Sequence, residues 1–382
     1  MHVGLVARGD TAYTLDLANL LHEAGLSVSL YLSYKHTVLE VGTSDRPVER
    51  LYELGLLPSE CRVHLTNSPR MRNPFSLATY SRLSKTIRDE GVDVVHILAG
   101  PHELWLAVLA CILHAIPVTS TMIVPKPNVG ANILPFLSRL INKLLAHGSD
   151  MVIVNGEDQV KSVQNLYRVP ANRVAFVPLN ARTMAVKQPV QTSVEEPGTI
   201  LFFGAARLHK GLEYLVRAQP IVSRQVPFAR FLISSHGEEL GRCRQMIEDN
   251  SKFEIREGYV SSEAMAGLFQ RASLVVLPYL SASTSGVLMI AYSYGKPVVA
   301  TKVGCLPAYV EDNITGVLVD PADAEQLAEA MICLLTDDAL RHRMGENARQ
   351  WVEAKDKEVA RQTIKAYEKA IAIHATGQDV YF

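Results

Sequence analysis

Short runs of β-branched and aliphatic residues recur along the chain, each bounded by Gly, Asp or Pro and followed by a longer amphipathic stretch. This alternation constrains the fold more than any other feature. Strands buried on both faces read as continuous apolar runs, and joining them in parallel requires helical crossovers, so the pattern specifies repeated βα units. In the first half it places strands at His2–Ala7, Ser27–Leu32, Arg62–Leu65, Val92–Ile97, Val118–Met122 and Met151–Val154, with helices such as Thr11–Ala24 and Ser76–Asp89 between them. In the second half the strands fall at Thr199–Phe203, Ala229–Ser234, Phe253–Glu257, Leu274–Pro278, Pro297–Ala300 and Gly316–Val319. Each half is expected to be a doubly wound, parallel α/β domain. The segment Asn180–Gly198, rich in Gln, Thr, Val, Glu and Pro and without periodicity, reads as a linker. It sets domains at 1–190 and 191–360. From Ala322 to about Thr376 the pattern is helical, and residues 361–382 form a last helical segment that can pack back on the first domain.

A chain of 382 residues fits two domains better than one, at roughly 150 residues each. With 48% hydrophobic and 20% charged residues it has the composition of a globular protein with a real core. Lys and Arg number 38 against 39 Asp and Glu, a net charge of −1, so no global positive field exists to hold nucleic acid. Cys61, Cys111, Cys243, Cys305 and Cys333 are far apart and form no C-x-x-C pair, unlike a zinc site or a disulfide framework. The start Met-His-Val-Gly-Leu-Val-Ala is a strand rather than a signal peptide. The longest apolar run, about Leu104 to Val118, is interrupted by His114 and is shorter than the ~20 residues that span a bilayer. A cytoplasmic protein is expected.

In open α/β sheets ligands bind beyond the carboxyl ends of the strands, where helix N-termini present free N–H groups. Three such corners stand out. The first, Arg8-Gly9-Asp10-Thr11, offers Gly9 and Asp10 as binding candidates, the alternative being an ordinary turn and helix cap. In the second, Phe203-Gly204-Ala205-Ala206-Arg207-Leu208-His209-Lys210-Gly211, two cations lie three residues apart in the turn before a helix. Arg207 and Lys210 there suit a diphosphate, whose developing charge they would neutralise without a metal ion; the alternative is two solvated surface cations. In the third, a polar loop after Pro278-Tyr279 feeds a helix at Ser285-Gly286-Val287, whose backbone N–H groups could meet phosphate oxygens, or where Ser285 is simply a cap.

Together the corners resemble the retaining glycosyltransferases of family 4, which have the GT-B fold of two Rossmann-like domains facing a cleft. The resemblance covers nearly the whole chain. Gly204–Gly211 is similar to that family's Gly-Arg-Leu and Lys-Gly turn, and Ser285–Ala300 to its donor helix ending in Gly-x-Pro-Val-Val-Ala. Val303-Gly304-Cys305-Leu306-Pro307 through Gly316 is similar to the loop and strand that follow. Lys210 matches the family's diphosphate-binding lysine. The partner arginine is replaced by Ala205, the two glutamates by Ala282 and Ile290, the acidic residue after Gly-x-x-Pro by Ala308, and the histidine of a Thr-x-His pattern by Ile123. Ser285-Gly286-Val287 is similar to a variant subgroup that lacks those glutamates.

The resemblance implies transfer of a sugar from a nucleotide-diphosphate sugar to an acceptor hydroxyl, with retention and no required metal or other cofactor. The acceptor would be a sugar, a glycan, a lipid-linked or a small molecule. Two other readings stand beside it: a degenerate, non-catalytic homologue serving as a binding subunit, and a GT-B nucleotide-sugar epimerase. In the first domain His96, His102 and Glu103, with Trp105 just beyond, are expected after a strand end facing the cleft, His102 as the catalytic candidate; a histidine capping backbone carbonyls is the alternative. Arg70, Arg72, Arg82, Lys85 and Arg88 suggest either peripheral docking at the inner membrane face or a solvated helix face. The segment Ile133–Leu145, with Arg139 and Lys143, reads as an interfacial amphipathic segment or as a core-packing helix.

Overall fold

A computed structural model describes residues 1–9, 11–67, 76–99, 104–122, 135–178, 194–258, 260, 262–282 and 285–377. These divide into two compact units, one made of residues up to 178 together with 356–377, the other of residues 194–355.

The first unit is a seven-stranded sheet in the order β3-β2-β1-β4-β5-β6-β7. Its strands are β1 (His2–Ala7), β2 (Ser27–Ser33), β3 (Arg62–Thr66), β4 (Val94–Ala99), β5 (Val118–Met122), β6 (Met151–Val154) and β7 (Val174–Phe176). All pair in parallel, for example Leu5 with Leu30 on one side and with His96 on the other. The crossovers carry α1 (Thr11–Glu23), α2 (Tyr34–Val41), α3 (Pro47–Glu53), α4 (Ser76–Asp89), α5 (Leu104–Ile112), α6 (Pro135–His147) and α7 (Glu157–Tyr167). Central strands β5 and β6 are buried along their whole length; β6, Met-Val-Ile-Val, is accordingly apolar without alternation, whereas β5 buries the small polar residues Thr119, Ser120 and Thr121. Helix α6 buries Ile141 and Leu145 in the core that α4 and α5 also enter through Leu83, Ile87 and Leu109.

The second unit repeats the plan with six strands in the order β10-β9-β8-β11-β12-β13. They are β8 (Thr199–Phe203), β9 (Arg230–Ser235), β10 (Phe253–Glu257), β11 (Leu274–Leu277), β12 (Val298–Thr301) and β13 (Gly316–Val319), again all parallel. Between and after them run α8 (Leu212–Gln225), α9 (Glu238–Gln245), α10 (Ser262–Arg271), α11 (Gly286–Ser293), α12 (Leu306–Tyr309), α13 (Ala324–Thr336) and α14 (Asp338–Thr376). The fold class expected from the alternation is thus the observed one: two doubly wound parallel sheets.

Three local differences have physical causes. Strand β4 begins at Val94 rather than Val92, because Val92 precedes the ladder that starts at Val3–Val94. The tail, which reads as one helical stretch, is broken at Asp337: its carboxylate accepts the N–H of Leu340 at 2.8 Å and so starts α14 afresh. Helix α14 then runs unbroken for 39 residues, and the change from the second unit to the first falls within it at 355/356 rather than at residue 360. Among the described residues no helix is long and apolar enough to cross a membrane.

Candidate functional site

In the second sheet the strand order reverses between β8 and β11, and the loops leaving their carboxyl ends must diverge and open a crevice there. The Gly204–Gly211 turn and the Pro278–Ser285 loop leave from these two strand ends. The order of the strands therefore assembles two corners that lie about seventy residues apart in sequence.

Close backbone contacts stitch the loops together. Gly211 has φ of +64°, and a Cβ placed on it would lie 1.8 Å from the carbonyl oxygen of Pro278, so only glycine fits. Beside it Leu280 donates its N–H to the carbonyl of His209 at 2.8 Å. A third loop joins at Gly304, with φ of +52°, where a Cβ would stand 1.7 Å from the carbonyl oxygen of Ala282. The Thr301 hydroxyl completes the seam by donating to the carbonyl of Tyr279 at 2.6 Å. Gly204 donates its N–H to Ser234 and accepts from the Ser235 hydroxyl at 2.6 Å, which fixes the start of the turn. Its position faces the side chain of Val287, 3.7 Å from where a Cβ would be.

Within this frame the ammonium of Lys210 sits 3.7 Å from the centre of the Tyr279 ring, a cation–π contact. Tyr279 is only 1% exposed, and its hydroxyl lies 3.4 Å from Ser285 Oγ. Ser285 in turn caps α11 by accepting the N–H of Leu288 at 3.4 Å. The next two N–H groups, of Gly286 and Val287, open the helix and have no intrahelical acceptor. A side chain at Gly286 would meet nothing within 4 Å, so this helix end is uncrowded. One ammonium and one helix N-terminus thus share a single aromatic support, and both favour negative charge.

Of the residues singled out in the sequence, Lys210, Gly204, Ser285, Gly286 and Val287 come together at this corner. Arg207 stands at the start of the 3₁₀ turn that carries Lys210, with an exposed side chain. Gly9 follows β1 in the first unit; its φ is outside the left-handed region and its Cβ position is open, so the backbone does not demand glycine there. Asp10, His102, Glu103, Ile123, Arg70 and Arg72 lie outside the described residues.

His96 needs correction. It lies inside β4, not beyond it, and is fully buried between the Tyr367 hydroxyl at Nδ1 and the Thr121 hydroxyl at Nε2, each at 2.7 Å. Burial pushes its pKa down to about 3, so it is a neutral structural link between β4, β5 and the end of α14. Trp105 also packs inward, stacked on Tyr80 at 6.1 Å against the first unit's core. Arg82, Lys85 and Arg88 are exposed on α4, and Arg88 donates to the Ile112 carbonyl.

Two features had no signal in the spacing. One is Tyr279, whose role depends on a contact with a residue of another loop. The other is a buried ion cluster at the opposite end of the second sheet, where Glu195 meets Lys296 at 2.9 Å and Arg341 at 3.2 Å. Burial opposes the charge on Glu195, but hydrogen bonding and attraction from these two cations hold its carboxyl below the usual carboxylate range.

Residues 8–180 match the model of the glycosyl transferase 4-like domain, and residues 197–337 match that of the glycosyl transferases group 1. A D-inositol 3-phosphate glycosyltransferase of Pseudarthrobacter chlorophenolicus is 25% identical over 96% of this chain and 92% of its own length. Among solved structures, sucrose-phosphate synthase from Thermosynechococcus elongatus superimposes with a TM-score of 0.70 at 19% identity, covering 97% of this chain and 99% of that one. The Anabaena protein HepE in complex with UDP and glucose does so with a TM-score of 0.65 at 13% identity, covering 96% and 98%. With one model matched by each unit, in the order that the two sheets have along the sequence, the chain belongs to the family 4 glycosyltransferases of GT-B fold.

Proposed function

We propose that the protein transfers a sugar from a nucleoside-diphosphate sugar to an acceptor hydroxyl, with retention at the anomeric carbon and without a required metal ion. One observation carries the reading: Lys210 and the N-terminus of α11 converge on Tyr279 at the switch point of the second sheet. In the reaction the bond between the anomeric carbon and the diphosphate oxygen breaks, and its electron pair leaves with the nucleoside diphosphate. The acceptor oxygen forms its bond on the same face, and its proton passes to the departing phosphate oxygen. The protein's part is electrostatic. Lys210 and the N–H groups of Gly286 and Val287 meet the charge that grows on the leaving group, and they are already oriented before it forms. Because HepE is described with UDP and glucose, uridine nucleotides are the first donors to test.

Calorimetric titration with UDP, GDP and their common sugar conjugates, in EDTA and then in Mg²⁺, tests the reading. Micromolar binding of one nucleotide in EDTA is expected, with Lys210→Ala weakening it roughly tenfold or more through loss of a charge-assisted bond. Unchanged affinity in that variant would remove Lys210 from the site.

A second reading has its own observation. Ala205, Ala282, Ile290 and Ala308 leave the corner without the charged side chains that the resemblance calls for, and a non-catalytic binding subunit would tolerate this. It requires that none of these nucleotides binds.

A further inference from the structure

Helix α6 has two distinct faces. One enters the first unit's core through Ile141 and Leu145. The other presents Phe136, Arg139, Leu140 and Lys143, spaced three and four apart so that they form one stripe. Phe136 is 78% exposed and Leu140 42%, and Leu166 on the last turn of α7 adds 41%. Between the stripe and that turn lies a groove of about 620 Å³, lined by Leu140, Lys143, Leu144, His147, Leu166, Tyr167 and Arg168. Its floor is aliphatic and aromatic and its rim carries Lys143 and Arg168. Among the described residues no carboxylate lines it. Arg139 stands on the same exposed stripe, one residue before Leu140.

We propose that the first unit docks on the surface of an anionic bilayer through α6 and the last turn of α7. Apolar side chains on a helix that also carries cations satisfy both layers of a membrane interface: the aliphatic ones enter the acyl boundary and the cations stay among the headgroups. The sign of the rim selects the partner. A second copy of this chain related by a two-fold axis would bring Lys143, Arg168 and Arg139 against the same cluster of cations, with no acid among the described lining residues to relieve the repulsion. A lipid surface bearing phosphates supplies the missing negative charge. The inference concerns the first unit and does not rest on the reaction proposed for the second.

The test is sedimentation of the full chain with sucrose-loaded vesicles of phosphatidylcholine alone and of phosphatidylcholine mixed with phosphatidylglycerol. Binding is expected to the mixed vesicles and to weaken with added salt. Each cation removed should lower the partition coefficient roughly fivefold, so Lys143→Ala/Arg168→Ala should lose roughly 25-fold. Leu140→Ser/Leu166→Ser should lose binding at all salt concentrations. Lys85→Ala, on the exposed face of α4, is expected to bind as the parent does. All of these side chains are exposed or line the groove, and thermal melting of each variant checks that the fold survives. The proposal is overturned if the mixed vesicles are not bound, if phosphatidylcholine alone binds equally well, or if Lys85→Ala loses as much as Lys143→Ala. Sedimentation velocity showing a dimer abolished by the leucine substitutions would overturn it in favour of self-association.

Discussion

Replacing Tyr279 with leucine should weaken nucleotide binding without touching any group proposed to meet the phosphates. The ring lies 3.7 Å beneath the Lys210 ammonium and is buried, so the contact belongs to the stronger, desolvated class of cation–π interactions at about 1–2 kcal/mol. A free lysine gives up about 1.5–2 kcal/mol of rotamer entropy when fixed, and the ring restricts it before any ligand arrives. Losing that restriction should raise the dissociation constant for UDP by roughly five- to thirtyfold, since each 1.4 kcal/mol is a factor of ten. Tyr279→Phe keeps the ring and loses only a 3.4 Å contact with Ser285, so it should change affinity by less than about threefold. Calorimetric titration of Lys210→Ala, Tyr279→Leu and their double variant completes the cycle. With the ammonium already gone, removing the ring should have little further effect on affinity. Equal losses in Tyr279→Phe and Tyr279→Leu, or fully additive losses in the double variant, would refute the idea that the ring acts through Lys210.

Three further outcomes follow from the packing. Gly211→Ala forces a Cβ onto the Pro278 carbonyl at positive φ and should cost more than about 2 kcal/mol in urea unfolding, whereas Gly9→Ala, with open space and no left-handed φ, should cost under about 0.5; equal costs would contradict the geometry. Glu195→Ala leaves Lys296 and Arg341 buried without their shared carboxylate and should destabilise by about 3 kcal/mol, read from the same titration. His96 is held neutral when folded, with a pKa near 3, while an unfolded histidine titrates near 6.5. Below that value the unfolded chain binds a proton that the folded chain refuses. His96 therefore lowers stability as pH falls from about 7 to 5 and has no such effect above that window. The urea midpoint of His96→Gln should vary less between pH 7 and 5 than that of the parent; an equal slope would show that His96 titrates normally.

The strands were legible because a strand covered on both faces has little choice of residue, and runs such as Leu274-Val275-Val276-Leu277 say so directly. Strand β7 was not, because three residues at the edge of a sheet carry too little periodicity to register. His96 shows how a position within a strand decides a role. The strand expected at Val92–Ile97 already contains it, and in the ladder of β4 its ring bonds to Thr121 and Tyr367 in the interior rather than standing beyond the strand end. The candidate corner was legible in its pieces, since Gly204, Lys210 and Ser285 sit at strand ends and helix starts that local chemistry marks. Their common support was not. Lys210 and Tyr279 are brought together by the order of strands β8 and β11 in the sheet, and no spacing along the chain encodes that order.

Helix α14 has a consequence for how the molecule is made. Among the described residues the second unit is one stretch of chain, 194–355, complete once residue 355 has left the ribosome. The first unit, although it begins at residue 1, lacks its final segment until residues 356–376 have emerged. Until then His96 waits for Tyr367 and Asp150 waits for His374, whose ring comes to 3.3 Å of its carboxylate. The half of the protein that is translated first is therefore the half that finishes folding last.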